Sequence, residues 1–300
     1  MDPIPGLAVW ANHQSKFLPL LREKTSKGFE VTYELEENRA IVFIEPRKHP
    51  STEYVLRNFS YFLPSWKIIL VHGTENEEFM RHVTSNIRGT FEFINCRVNN
   101  LPNASYNTLF THPQFWSALP QWVLIAQTDT LLLKFAKSFL DHLIVDEIKY
   151  CGAPWNYLCT RCKKPLDCGC GHMIDQKKLV EMSPNMVGNG GLSFRNSRTM
   201  QDLCTQFCLG TEPCKDIIGK WGAIPTPRTK IEGTSNEDVF YCSLLAPNDL
   251  PLRQRALDFS LEQCQPVSWT GKVPSIGAHK PWMYLPLPLV EAVLNLVEIV

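Results

Sequence analysis

Residues 40–72 read AIVFIEPRKHPSTEYVLRNFSYFLPSWKIILVH. Two apolar runs in it, AIVFIE (40–45) and WKIILV (66–71), are rich in Val, Ile and Phe and have strand length. Between them STEYVLRNFSYFL (51–63) sets Tyr54, Val55, Phe59 and Phe62 at helical spacing. Strand, helix and strand in that order predict a βαβ unit and a mainly parallel sheet. The pattern continues outward. FEFIN (91–95), WVLIAQ (122–127) and EIKYCG (147–152) are further strand candidates, while NEEFMRHVTSNI (76–87) and ASYNTLFTHPQFWSAL (104–119) read as helices. Upstream, residues 1–38 form an extension with a helix expected around 15–24. Downstream, Pro225, Pro227 and Gly233 mark 219–235 as a loop before the helix candidate EDVFYCSLL (237–245).

Length and composition agree with this class. The 300 residues are 44% hydrophobic and 20% charged, which is ordinary for a globular protein, and Lys plus Arg equals Asp plus Glu at 30 each. A zero formal charge argues against a nucleic-acid partner, because phosphate backbones select basic surfaces. The cluster Arg161, Lys163, Lys164 is too small to reverse that. The N-terminus has neither a basic n-region nor a long apolar h-region, and no run of 18 apolar residues follows, so no secretory signal or transmembrane anchor is read and a cytoplasmic address is expected. The C-terminal YLPLPLVEAVLNLVEIV, interrupted by Pro286, Pro288, Glu291 and Glu298, reads as a docked or amphipathic tail over 285–300.

A parallel sheet places ligands outside the carboxyl ends of its strands. Four such ends are rich in polar, Gly and Pro residues: Glu45-Pro46-Arg47-Lys48-His49, His72-Gly73-Thr74-Glu75-Asn76, Thr128-Asp129-Thr130 and Gly152-Ala153-Pro154-Trp155. Turns favour the same residues, but four on one rim point to a ligand site. Within Gln127-Thr128-Asp129 a carboxylate could hold Mg²⁺ or Mn²⁺ together with diphosphate oxygens, or cap a turn. Asn189, Gly190 and Gly191 in VGNGGLSFR let backbone approach a ligand closely or make a tight turn into a strand. Glu237 and Asp238 open a helix, where they complement its dipole or supply a general base. Gly277-Ala278-His279-Lys280-Pro281-Trp282 offers a metal-ligating imidazole, an ammonium for a leaving phosphate and an aromatic face for a sugar.

Taken in order, EPRKHP, HGTEN, QTD, GAPW, VGNGGLSFR, EDVF and HKPW resemble a family first described as a domain of unknown function and regarded as glycosyltransferase-like. The resemblance covers roughly 38–283. The chain is also similar, more distantly, to the A-type glycosyltransferase fold, with helices on both faces of a Rossmann-like sheet. The resemblance implies one transferase domain over 39–284, a nucleotide-diphosphate sugar donor, and a glycan, protein or small-molecule hydroxyl acceptor. The strand-end reading gives Glu45, Arg47, His72 and Gly73 as donor contacts, and the resemblance adds Gln127, Thr128, Asp129 and Lys280. The sugar and acceptor pocket would comprise Trp155, Asn189, Gly190, Gly191 and Trp282. Mn²⁺ or Mg²⁺ would sit on Asp129 and His279. Gln127 stands where the family pattern of A-type transferases, D-x-D, has its first Asp. Glu237-Asp238 resembles the x-E-D motif of inverting enzymes, which makes Asp238 the base beside Glu237, with retention left open by the late His-Lys-Pro-Trp element.

Residues 159–172 read CTRCKKPLDCGCGH. Four cysteines within twelve residues predict a structural zinc held by Cys159, Cys162, Cys168 and Cys170, with His172 as substitute, in an insertion spanning 157–173. Disulfides are the rival reading in an oxidising compartment. Cys204 and Cys208 are expected as small core residues. Two other functions remain beside the transferase: a non-catalytic nucleotide-sugar binder on the same fold, and an interaction module built on the cysteine loop.

Overall fold

The computed structural model describes residues 5–28, 33–154, 188–207, 213–219, 222–225, 236–263 and 275–299. Six strands make the main sheet: β1 (Arg39–Glu45), β2 (Lys67–His72), β3 (Phe91–Asn95), β4 (Trp122–Ala126), β6 (Tyr150–Gly152) and β7 (Ser193–Asn196), in the order β3-β2-β1-β4-β7-β6. The first four are parallel, and β7 runs antiparallel to both β4 and β6. The protein is therefore mixed α/β with a mostly parallel sheet.

Continuous apolar runs suit strands covered on both faces. Along β1, Ile41 and Phe43 enter one core while Ala40, Val42 and Ile44 enter the other. Ile68 and Leu70 of β2 separate likewise from Ile69 and Val71, as do Leu124 and Ala126 of β4 from Val123 and Ile125. This is the period-2 alternation of a pleated strand. The first face carries α1 (Pro5–Thr25), α2 (Thr52–Phe62), α6 (Lys137–Val145), α10 (Pro281–Tyr284) and α11 (Leu287–Asn295). The second carries α4 (Asn103–Phe110), α5 (Pro113–Ser117), α7 (Ser197–Phe207) and α8 (Glu237–Leu244). The remaining helices are α3 (Glu77–Thr84) and α9 (Arg253–Phe259).

Several elements differ from the sequence expectation, each for a local reason. The first helix begins at Pro5, ten residues early, because Trp10, Phe17 and Leu21 are buried against the sheet's cover. The 104–119 helix divides: Pro113 forces His112 into an extended conformation, and the His112 ring then caps α5 by accepting from the Gln114 N–H at 3.2 Å. The strand expected from 147 starts at Tyr150, because Glu147 takes φ 56° in the turn leaving α6. The stretch 219–235 contains a strand, β9 (Gly222–Pro225), paired with β8 (Pro213–Gly219). A small second sheet was also not expected. In it β10 (Ser260–Leu261) runs parallel to β11 (Gly277–His279), and β11 runs antiparallel to β5 (Thr130–Leu132). Residues 157–173, and with them the zinc reading of Cys159, Cys162, Cys168, Cys170 and His172, lie outside the described residues. Cys204 is buried, with its Sγ 3.0 Å from the Tyr241 hydroxyl, and Cys208 lies outside the described residues.

An aromatic stack docks α1 on the rest of the first face. Trp10 stacks on Trp282 with ring centroids 4.5 Å apart, and His13 lies between Trp10 and Phe17 with Nε2 2.5 Å from the Tyr54 hydroxyl. Burial, aided by nearby Lys16, lowers the His13 pKa to about 3 from 6.5. Between those values the unfolded chain holds a proton that the folded chain lacks. Stability from this group is therefore complete above pH 6.5 and falls by about 1.4 kcal/mol per pH unit on the way down toward 3. Urea unfolding followed at pH 7 and pH 5 should show this slope, and His13→Gln should flatten it. An unchanged slope in the variant would remove His13 as the cause.

Candidate functional site

The strand order reverses between β1 and β4, and a polar cleft of about 180 Å³ opens at their carboxyl ends. Glu45, Arg47, Gln127, Thr128, Asp129 and Lys280 line it, with Asn103 and Tyr106 from α4. The β1 rim is rigidly held. Arg47 donates through Nε and Nη2 to the two oxygens of the buried Glu45 carboxylate, each at 2.8 Å. Asn76 donates to the Glu45 and Arg47 carbonyls at 2.8 Å and accepts from the Gly73 N–H. A Cβ on Gly73 would lie 2.4 Å from the Pro46 and Val98 carbonyl oxygens, so only glycine admits that approach. His72 and Gly73, expected as donor contacts, thus brace the rim from behind: the His72 ring is buried against the Gly73 carbonyl and neither residue lines the cleft.

Opposite them, β4 ends in a tight turn. The Thr130 hydroxyl donates to the Gln127 carbonyl at 2.7 Å and accepts from the Gln127 N–H at 3.2 Å, which passes the chain from the main sheet into β5. Asp129 projects from that turn. Because His279 pairs with Thr130 across β11 and β5, the next rung sets Lys280 beside Asp129, and the Lys280 N–H donates to the Asp129 carbonyl at 3.0 Å. Lys280 adopts φ 44° there and aims Nζ 3.2 Å from Asp129 Oδ2. The buried His279 ring places Nε2 3.4 Å from Asp129 Oδ1 and Nδ1 3.4 Å from Glu262 Oε1. These are ion-pair distances. Asp129 Oδ1, Glu262 Oε2 and both His279 nitrogens are buried without a hydrogen bond.

The electrostatics follow from that packing. Burial would raise the Asp129 pKa, but His279 and Lys280 hold it down at about 2. Burial would lower the His279 pKa, but Asp129 and Glu262 hold it up at about 9. Asp129 in the cleft and His279 buried behind it thus form a carboxylate–imidazolium pair.

The glycine loop ties this pair to α8. A Cβ on Gly191 would fall 2.2 Å from the His279 ring, so the loop lies directly against the imidazole. One residue earlier, the Gly190 N–H donates to Asp238 Oδ2 at 3.3 Å, and Asn189 Oδ1 accepts from the Gly191 N–H at 2.9 Å. Glu237 is turned inward. Its Oε1 accepts from Arg195 Nη2 at 2.7 Å, and the fully buried guanidinium lies within 4.8–5.7 Å of the rings of Phe110, Trp116, Tyr150 and Tyr241. Asp238 stays half-buried at the loop.

Two sequence assignments meet a different environment. Trp282, expected to face a sugar, is 7% exposed and stacked on Trp10 in the core. Trp155 lies outside the described residues. Three residues of the site were not foreseen. Asn103 and Tyr106 line the cleft from α4, with the Tyr106 hydroxyl buried and unsatisfied. Their signal was available, because a helix that follows a parallel strand begins at the ligand rim. Glu262 had none.

Among the described residues no set of three or more His, Cys, Asp or Glu side chains is disposed to hold a metal, and no helix is long and apolar enough to cross a membrane. The profile of a family described as a protein of unknown function (DUF5672) matches residues 90–279, well over half of the chain. The chain belongs to this family. The DUF5672 match takes in β4, the glycine loop, α8 and β11, and so contains Asp129, Asp238 and His279 but neither Glu45 nor Lys280. A comparison with curated proteins gave no match. Among solved structures, this DUF5672 member is similar to 4-diphosphocytidyl-2C-methyl-D-erythritolsynthase from Anaerococcus prevotii DSM 20548, at 11% identity and a TM-score of 0.34, over 56% of this chain and 74% of that one. It is also similar to mouse xyloside xylosyltransferase 1 in its apo form, at 10% identity and a TM-score of 0.36, over 56% and 71%. Likenesses of that size carry no functional weight.

Proposed function

We propose that the chain is a glycosyltransferase that moves a sugar from a nucleotide-diphosphate donor to a hydroxyl acceptor. One observation carries the reading: a polar cleft at the reversal of strand order, lined by Asp129 and Lys280, with His279 buried directly behind Asp129 and unsatisfied atoms of the two facing each other. Lys280 supplies positive charge for the departing diphosphate. Glu45 and Arg47, braced on the opposite rim, with Gln127 and Tyr106, supply hydrogen bonds for the nucleoside.

Asp129 Oδ1 and His279 Nε2 are also compatible with Mn²⁺ or Mg²⁺, because both are orphaned and they stand 3.4 Å apart. With two protein ligands, the rest of the shell falls to phosphate oxygens and water, the usual habit of such ions. When bound, the ion would neutralise charge developing on the leaving group.

In the reaction, Asp238 takes the proton of the acceptor hydroxyl. The oxygen bonds to the anomeric carbon, and the bond from that carbon to the diphosphate oxygen breaks. The transition state has oxocarbenium character, as in glycoside hydrolysis. Glu237, neutralised by Arg195, orients the start of α8 rather than exchanging protons. Asp238 acting on the face opposite the leaving group corresponds to inversion.

The test is a panel of sugar nucleotides incubated with Mn²⁺ or with EDTA. Wild type is expected to release one nucleoside diphosphate slowly, and Asp129→Ala to lower that rate by about 10²–10³-fold, typical of losing one group that stabilises developing charge. Tight binding of a donor with no turnover, even with acceptors added, would favour a non-catalytic binder. Failure to bind any donor would end the reading.

A further inference from the structure

The His279 ring is held between two carboxylates, and only one of them faces the cleft. The register of the small sheet accounts for the other. Ser260 pairs with Gly277 and Leu261 with Ala278, so the next rung sets Glu262 beside His279. Glu262 is 2% exposed and does not line the cleft, which leaves it unable to touch a ligand there. Its Oε1 stands 3.4 Å from His279 Nδ1, while Nε2 stands 3.4 Å from Asp129 Oδ1 on the cleft side.

Imidazole rotates about its Cβ–Cγ bond and exists in two neutral tautomers, so a ring that must present Nε2 as an electron-pair donor needs something to hold the proton on Nδ1. A carboxylate behind the ring does this in many metal sites, and it also raises the basicity of the ligating nitrogen. The Gly191 backbone packs against the same ring and blocks it from tilting away, since even a Cβ there would overlap it.

We propose that Glu262 is the positioning residue of His279: it keeps a proton on Nδ1, so that the proton an arriving cation displaces is the one on Nε2, and the lone pair left there faces the cation and diphosphate. This rests on the cation reading of the cleft above. Glu262 acts only through the histidine and has no contact with the reacting atoms.

The probe is manganese(II) pyrophosphate titrated into the full chain, followed by water proton relaxation. Wild type should bind it, Asp129→Ala should not, and Glu262→Ala should bind about 10–100-fold more weakly, as for other outer-shell partners of ligating histidines. Glu262→Gln should fall between, because its amide oxygen can accept from Nδ1–H but carries no charge. A second readout is the ¹⁵N spectrum of His279 with magnesium pyrophosphate bound, assigned by its loss in His279→Gln. One tautomer, protonated at Nδ1, is expected in wild type and a mixture in Glu262→Gln. Since Glu262→Ala loses a buried group and could fail to fold, the glutamine variant carries the spectroscopic test alone if needed. Glu262 variants that bind as wild type does, or retain the single tautomer, overturn the inference and leave the transferase reading standing. No binding by wild type overturns the cation reading and this inference together.

Discussion

Arg195→Met is expected to destabilise the protein by about 3–5 kcal/mol, the loss typical when one partner of a buried ion pair is removed. The guanidinium has no exposed surface and Glu237 is 4% exposed, so the variant strands a carboxylate in a setting of aromatic rings. It also removes the 2.8 Å bond from Arg195 Nε to the Ser193 hydroxyl and the contact with the Gly190 carbonyl, both of which shape the glycine loop. Urea unfolding midpoints measure the effect. The double variant Arg195→Met/Glu237→Gln should recover much of the loss, because no buried charge is left without a partner, and the two substitutions should be strongly non-additive. Equal midpoints for Arg195→Met and wild type would show that the pair does not hold this part of the fold.

For turnover the largest effect is expected from Asp238→Asn, a fall in kcat of about 10²–10⁴-fold, the usual contribution of a general base. The substitution conserves shape, and its amide oxygen can still accept from the Gly190 N–H, so donor affinity should change little. Removing proton acceptance without disturbing the loop therefore separates chemistry from binding. Near-normal turnover in Asp238→Asn would transfer the base role elsewhere. Loss of donor affinity with kcat retained would mark Asp238 as a loop support.

How much of this could be read from residues alone depended on how far each signal reaches along the chain. The parallel strands β1 to β4 are runs of five to seven residues, fully covered on both faces in β1, β2 and β4 and partly covered in the edge strand β3, and Val, Ile and Phe announce them locally. Strands β5, β10 and β11 have two or three residues each, too few for any period, and they exist because the turn at Thr130 delivers the chain to His279. Glu262 meets His279 only through that register, across 17 positions of sequence. Arg195 carries no sign of its role, since nothing adjacent in sequence reveals four aromatic rings closing around it. Trp282 shows the opposite limit: its position beside Lys280 suggested a sugar platform, but a tryptophan serves equally to fill a core, and Trp10 is what it meets. The rim residues Glu45, Arg47, Gln127, Thr128 and Asp129 were legible because the geometry of parallel sheets, and not their own chemistry, fixes where ligands sit, whereas Lys280, after β11, was legible only by its ammonium and the resemblance.

The Lys280–Asp129 contact also bears on selectivity. With Glu262 and His279 included, the four side chains sum to zero charge, so the cleft offers an approaching anion no net attraction at long range. An anion gains Lys280 only by displacing Asp129 from it at 3.2 Å. Diffuse or singly charged anions compete poorly against a carboxylate already in place. A diphosphate, with its charge concentrated on neighbouring oxygens, competes well, and more so if it arrives with a cation that gives Asp129 a new partner. If the cleft takes the diphosphate proposed above, the pair would act as a filter on charge density: it would weaken binding of every anion, and of diffuse ones most.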